Sequence, residues 1–219
     1  MNLEEGITSG DYKTIQGNLF VTGNISDVYS KADIDTRVRA LETKVEEYKK
    51  GEIIEVLTSI CDGSTVEVLS GTYTFPTATS QDLSTTYTLA SGSNITYTPP
   101  IGTRQVIYEY EHQLSWSNDH AISHWTLYID GVEIEGARTS LSGRYPERRE
   151  HHTWVFNIGG ETSAITGRQA TWTTPKELKW LAREYGTSNR NDRLNYTTYW
   201  NGTGGAIFSY PLIKITAIA

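Results

Sequence analysis

From Ile34 the chain sets apolar side chains four, three, four and three residues apart, at Ile34, Val38, Leu41, Val45 and Tyr48. That spacing gives the narrow seam of a coiled coil rather than the broad stripe of a globular helix. Ser30 with Asp33 fits a capping box ahead of it, and Gly51 fits the stop. A lone helix of this length is marginal in water, so it packs either on its own domain or on copies of itself. No long amphipathic helix follows to serve as a partner, which favours self-association over a surface helix on a monomer. With Val38 and Val45 at position a and Ile34, Leu41 and Tyr48 at position d, Arg37 meets Glu42 favourably between chains, whereas Lys44 meets Lys49 unfavourably. Valine at a with leucine at d leans towards two strands.

Beyond residue 51 the period changes to two. In "QVIYEYEHQLSW", Val106, Tyr108, Tyr110, His112, Leu114 and Trp116 share one face, and Ile107, Glu109, Glu111 and Gln113 the other. "STVEVLSGTYTF" alternates about Ser70–Gly71, and "TTYTLASGSNITYTPP" repeats the theme until Pro99–Pro100 closes it. "HWTLYIDGVEI" carries Asp130–Gly131, a strong hairpin signal. "HTWVFNIG" alternates Trp154, Phe156 and Ile158. "ELKWLAREYG" could pass for a helix, but Pro175 and Gly186 bound it and Leu178, Trp180 and Ala182 alternate, so a strand is expected. The C-terminal "AIFSYPLIKITAIA" ends as a strand with Ile213, Ile215 and Ala217 on one face. Many short strands separated by turns predict an antiparallel sandwich or jelly roll. Residues 186–205, "GTSNRNDRLNYTTYWNGTGG", read as a long polar loop of the kind that is functional or packs on a neighbour.

Composition narrows the partners. The 219 residues are 37% hydrophobic and carry a net charge of −7, which disfavours a phosphate backbone, so no nucleic acid is expected. No apolar run approaches the roughly 20 residues that span a bilayer, so no membrane insertion is expected. "MNLEEGITSG" lacks the basic and apolar regions of a secretory signal. Fourteen Tyr and six Trp supply large buriable surfaces, while the single cysteine, Cys61, can form no disulfide within the chain.

Catalytic signatures are few. There is no phosphate loop, dinucleotide fingerprint, "GxSxG" or "HExxH". Cys61 has no base nominated by the sequence. His120 and His124 are four apart, which in a strand does not set them side by side, and surface or hydrogen-bonded roles are expected for these and for His112, His151 and His152. Glu109 and Glu111 share a strand face and could serve glycoside hydrolysis. The commoner reading is a solvated face paired across the sheet, with Arg144, Arg148 and Arg149 as candidates. No catalytic residue, metal or cofactor is therefore expected, and no enzyme. The aromatic set of the long loop is more suggestive. Asn191, Arg193, Tyr196, Tyr199 and Trp200 combine flat rings with amide and charged groups, the chemistry that holds a sugar face. The alternative is that these rings pack between subunits. Asn24, Asn94, Asn195 and Asn201 begin N-x-S/T triplets, to which no role is assigned.

Two stretches carry a resemblance. "IQGNLFVTGNISDVYSKADIDTRVRALE" resembles the neck of bacteriophage and large-virus fibre proteins, in which a strand segment precedes a helix start and a short trimeric coiled coil. "SGSNITYTPPIGTRQVIYEYEH", "HAISHWTLYIDG", "LSGRYPERREHHTWVFNIGG", "ATWTTPKELKWLAREYG" and "YWNGTGGAIF" are similar to β-sandwich knobs of marine virus structural proteins. The resemblance implies a homotrimer on the virion surface and supplies the number three. Residues 1–29 would attach to capsid or tail proteins and residues 30–50 would form the neck. Residues 51–100 would form a β collar with the first head strands, and residues 101–219 a sandwich head facing host-surface glycans. The brief shaft points to a short fibre, spike or decoration protein. The expected fold is thus mainly β, a short coiled-coil helix followed by an antiparallel, jelly-roll-like sandwich. A capsid cement protein without receptor binding and a carbohydrate-binding or carbohydrate-active protein are the rival expectations.

Overall fold

The computed structural model describes residues 35–36, 48–116, 121–143, 147–186, 192–200 and 205–219. The chain divides into Met1–Tyr48 and Lys49–Ala219. In the first unit Asp35 and Thr36 have helical backbone, and Tyr48 lies half-buried in a bend. Ile34, Val38, Leu41 and Val45 lie outside the described residues, as does the segment 1–29.

The second unit is antiparallel β throughout its paired strands. In chain order they are β1 (Ile53–Ile60), β2 (Thr65–Val68), β3 (Gly71–Thr74), β4 (Gln81–Asp82) and β5 (Thr88–Leu89). There follow β6 (Ile95–Tyr97), β7 (Gln105–Trp116), β8 (Ala121–Ile129), β9 (Val132–Gly143) and β10 (Arg148–Asn157). Last come β11 (Lys176–Glu184), β12 (Asp192–Leu194), β13 (Tyr196–Trp200), β14 (Gly205–Phe208) and β15 (Leu212–Ile218). One sheet runs β1-β15-β7-β12-β4, with β10 on the other edge of β7. A second runs β5-β11-β8-β9, with β6 also on β11. Strands from residues 51–100 pair with strands from residues 101–219, β1 with β15 and both β5 and β6 with β11.

The period-two pattern decides which faces meet. Val106, Tyr108, Tyr110, His112 and Leu114 of β7 are all buried, and so are Trp125, Leu127 and Ile129 of β8 and Leu178, Trp180 and Ala182 of β11. Ile213, Ile215 and Ala217 of β15 join them. "ELKWLAREYG" is the expected strand, and Asp130–Gly131 is the expected hairpin, both residues at positive φ. The two sheets touch through rings. His112 of β7 lies 4.7 Å from Trp125 of β8, and His152 of β10 lies 4.3 Å from Trp125 and 4.8 Å from Trp180. Tyr108 and Tyr110 reach across and donate to the carbonyls of Ser93 and Ser91, between β5 and β6. Phe156 meets Trp172 edge-on at 5.6 Å. Bulky rings whose polar tips find carbonyls give a large apolar burial without orphaned hydroxyls.

β5 and β6 lie end to end along one edge of β11, and a side chain closes the gap between them. Ser93 Oγ donates to the Trp180 carbonyl and accepts from the Trp180 amide, which Ala90 N–H joins on the same carbonyl. β15 and β12 share an edge of β7 in the same way. Between them the chain leaves the sheet as the β13–β14 hairpin and returns at Pro211. Residues 186–205 therefore carry β12 and β13 rather than an unstructured loop. The three residues of β12 are too few to show a period, and β12 is held by pairing with β7 and β4.

Candidate functional site

The site forms where β12 ends. Asp192 and Leu194 are buried, so the intervening Arg193 projects the other way, as strand alternation requires. Arg193 is in register with Asp82 of β4, and its Nε stands 2.6 Å from the Asp82 carboxylate. Asn195 then turns the chain out of the sheet with φ at +59°, a left-handed conformation that asparagine tolerates. Its backbone amide donates to Gln113 O at 2.8 Å, and its Nδ2 donates to Thr79 O and Ser91 O at 3.1 and 2.8 Å. This anchor sets Tyr196 beside Arg193, whose guanidinium carbon lies 5.1 Å from the ring centroid.

Ser80, Gln81, Asp82, Arg193 and Tyr196 line a pocket of about 220 Å³. Sites for drug-sized ligands run to roughly 300–1,000 Å³, so this one suits a single ring or a short polar group. Gln81 helps to build the wall. Its Nε2 donates to Leu89 O at 2.8 Å and its Oε1 accepts from Ser91 N–H at 2.7 Å. The Tyr196 ring, the Arg193–Asp82 ion pair and Ser80 complete the lining.

Of the five residues expected from the sequence to contact glycan, the pocket contains Arg193 and Tyr196. Tyr199 and Trp200 belong to the backbone of β13, and Asn191 lies outside the described residues. Sequence reasoning missed Ser80, Gln81 and Asp82, which stand more than a hundred residues earlier in a stretch with no pattern of its own. Asn195, the start of an N-x-T triplet, is fully buried with its amide spent on Thr79 and Ser91.

The other candidates resolve locally. Glu109 sits 2.7 Å from Lys214 and 3.1 Å from His151, and Glu111 sits 3.1 Å from Arg149. The two carboxylates thus belong to a charge ladder on the outer face of the sheet, with Arg149 as the expected partner. Arg148 pairs with Glu150, and Arg144 lies outside the described residues. Cys61 is fully buried and donates to Gly92 O at 3.1 Å, and burial pushes its thiol up to about 12. His124 lies 3.3 Å from an Arg183 nitrogen, and His120 lies outside the described residues. His112 and His152 depart from the expected surface or hydrogen-bonded roles. Both are buried between the sheets, with no partner for His112 Nδ1, His112 Nε2 or His152 Nε2 among the described residues. Burial holds both imidazoles below the ordinary histidine value, His152 at about 3. Among the described residues, no group of three or more His, Cys, Asp or Glu side chains could hold a metal ion, and no helix is long and apolar enough to cross a membrane.

No family model matches the chain, and no curated protein matches it. Among solved structures, the chain is similar to one described as "Structure of infectious bursal disease virus Gx strain". The identity is 11% and the TM-score 0.31, over 78% of this chain and 38% of that chain. At that TM-score the likeness carries no argument about function.

Proposed function

We propose that the chain is a virion structural protein, a short trimeric fibre that stands on the virion surface. Residues 1–29 attach it to capsid or tail proteins, residues 30–50 trimerise it through Ile34, Val38, Leu41, Val45 and Tyr48, and the jelly-roll-like β head faces the host. The observation that carries this reading is the seam itself, a three-and-four apolar repeat that ends five residues before the first head strand. A repeat so short is weak alone and gains strength when fused to heads that also touch, because each contact raises the effective concentration for the other. Sedimentation equilibrium of the full chain at micromolar concentration tests it. A threefold mass is expected, and a monomer overturns the fibre.

The head's ligand in this reading is a host-surface glycan. Support comes from the pocket at Arg193 and Tyr196, where an aromatic ring, a cation, a carboxylate and a hydroxyl converge on a volume suited to one sugar ring. Binding of the full chain to an array of surface glycans should fall at least tenfold in Tyr196→Ala. Array binding that ignores both Tyr196→Ala and Arg193→Ala would move the ligand elsewhere. Absence of binding to any glycan would leave the cement-protein role, which electron microscopy of virions would show as heads lying flat on the shell.

A further inference from the structure

The outer face of the larger sheet is divided. Val56 of β1, Thr216 of β15, Ile107 of β7 and Val155 of β10 lie directly opposite one another across four strands. Their chain neighbours Leu57, Tyr108 and Phe156 are buried on the inner face, so this row points outward. Val56 is 42% exposed and Val155 39%. One step nearer the end of the sheet, Ile53 is 59% exposed opposite Ile218, and Ile101, in the turn before β7, is 77% exposed. The next row in the other direction is polar, Thr58, Lys214, Glu109 and Thr153, closed by the Lys214–Glu109 pair. Ile60, 43% exposed, lies beyond it on the edge strand. Elsewhere Leu69, Ile165 and Tyr185 are exposed singly at turns and loops and Val132 at the start of β9, which is ordinary on a surface. Ile207, Phe208 and Tyr210 form a second exposed apolar group at and just beyond β14, away from the chain's entry into the head.

The apolar end is also where the chain enters the head. Gly51 N–H donates to Ala219 O at 2.8 Å, and Ala219 N–H donates to Glu52 O at 2.9 Å. Four residues separate Tyr48 from Ile53, five steps that span at most about 17 Å when fully extended. A unit the size of Lys49–Ala219 has a radius of gyration of about 16 Å. Chains joined at Tyr48 keep their heads on short tethers, so the surface nearest the junction is the one best placed to meet its copies. We infer that the end of the outer sheet face bearing Ile53, Val56, Ile107 and Val155 is the contact between copies of this chain. The inference rests on the trimeric reading above and adds the surface through which the heads join.

The test uses the full chain. Val56→Glu with Val155→Glu should raise the concentration at which the assembly dissociates at least tenfold, with near-ultraviolet circular dichroism unchanged. Val155→Cys should resist maleimide in the assembly and react on dilution, and the buried Cys61 keeps the background low. A trimer that dissociates as before and labels freely at Val155→Cys overturns this interface and leaves the trimer standing. A monomer that labels freely overturns both. A monomer in which Val155→Cys stays protected places another part of the same chain on the stripe and also overturns the inference. Should the double variant fail to fold, the labelling of Val155→Cys decides alone.

Discussion

Gly92 shows how tightly one corner of the head is closed. Its φ is +90°, and a Cβ there would stand 2.6 Å from Pro211 Cγ and 2.9 Å from Ala78 Cβ, neither of which is the tip of a flexible side chain. Its carbonyl accepts from the buried Cys61 thiol. Gly131 has a similar φ, +77°, but no atom within 4 Å of a Cβ. The pair separates backbone strain from steric closure. Gly131→Ala should cost only the conformational penalty, about 1 kcal/mol. Gly92→Ala should cost about 3 kcal/mol or more, because the overlap adds to the same penalty. Urea unfolding midpoints of the two variants check this, and equal losses would show that the corner relaxes. The Cys61 thiol, held up at about 12 by burial, should stay unlabelled by thiol reagents until urea unfolds the head.

At the scale of elements, long alternation was legible and short pairing was not. Twelve residues of β7 and nine of β11 display period two plainly, and the Asp130–Gly131 turn fixes the β8–β9 hairpin. β4 and β12 hold two and three residues, and their existence depends on strands far along the chain. Half of the candidate site was therefore visible, Arg193 and Tyr196, while its other wall on β4 was not. The element that joins the halves is Asn195, whose amide ties the departing strand to Thr79 and Ser91. Asn195→Gly keeps the left-handed turn and loses the tie. It should cost about 2 kcal/mol, since two buried carbonyls lose their donor. Asn195→Ala should lose about 1 kcal/mol more through its φ. If the pocket depends on this anchor, glycan binding should fall in both variants in proportion to the loosening of the β13–β14 hairpin, read as faster amide exchange at Ser209, whose N–H bonds Asn195 O.

For the whole molecule, the contact between the sheets sets the response to acid. His112 and His152, 5.4 Å apart, lie among Tyr110, Trp125 and Trp180. Burial depresses both imidazoles, and the charges of Arg149 near His112 and His151 near His152 act in the same direction. In the unfolded chain each imidazole takes up a proton near the ordinary histidine value of about 6.5. Between that value and about 3 the unfolded state binds more protons than the folded one, so stability is full above pH 6.5 and is lost as pH falls. From pH 7.5 to pH 5 the loss is about 2 kcal/mol for His152, and His112, depressed by the same burial, adds to it in the same direction. Net stabilities of domains are about 5–15 kcal/mol, so this is a large share. Glu133 does not mask it over that range: it is held at about 2 by Arg138 and the Thr126 hydroxyl, and its contribution is lost only as pH falls below the ordinary carboxylate range. His152→Phe keeps a ring against Trp125 and Trp180 and removes one of the two protons. It should remove about 2 kcal/mol of the fall in unfolding free energy between pH 7.5 and pH 5, whatever its effect on stability at neutral pH, because the difference between two pH values cancels any packing cost. A wild-type loss below about 1 kcal/mol across that range would mean that the imidazoles have found donors or water in the folded head. In that case the sandwich would be held by its tyrosine–carbonyl bonds and indole contacts, with no penalty from an acidic medium.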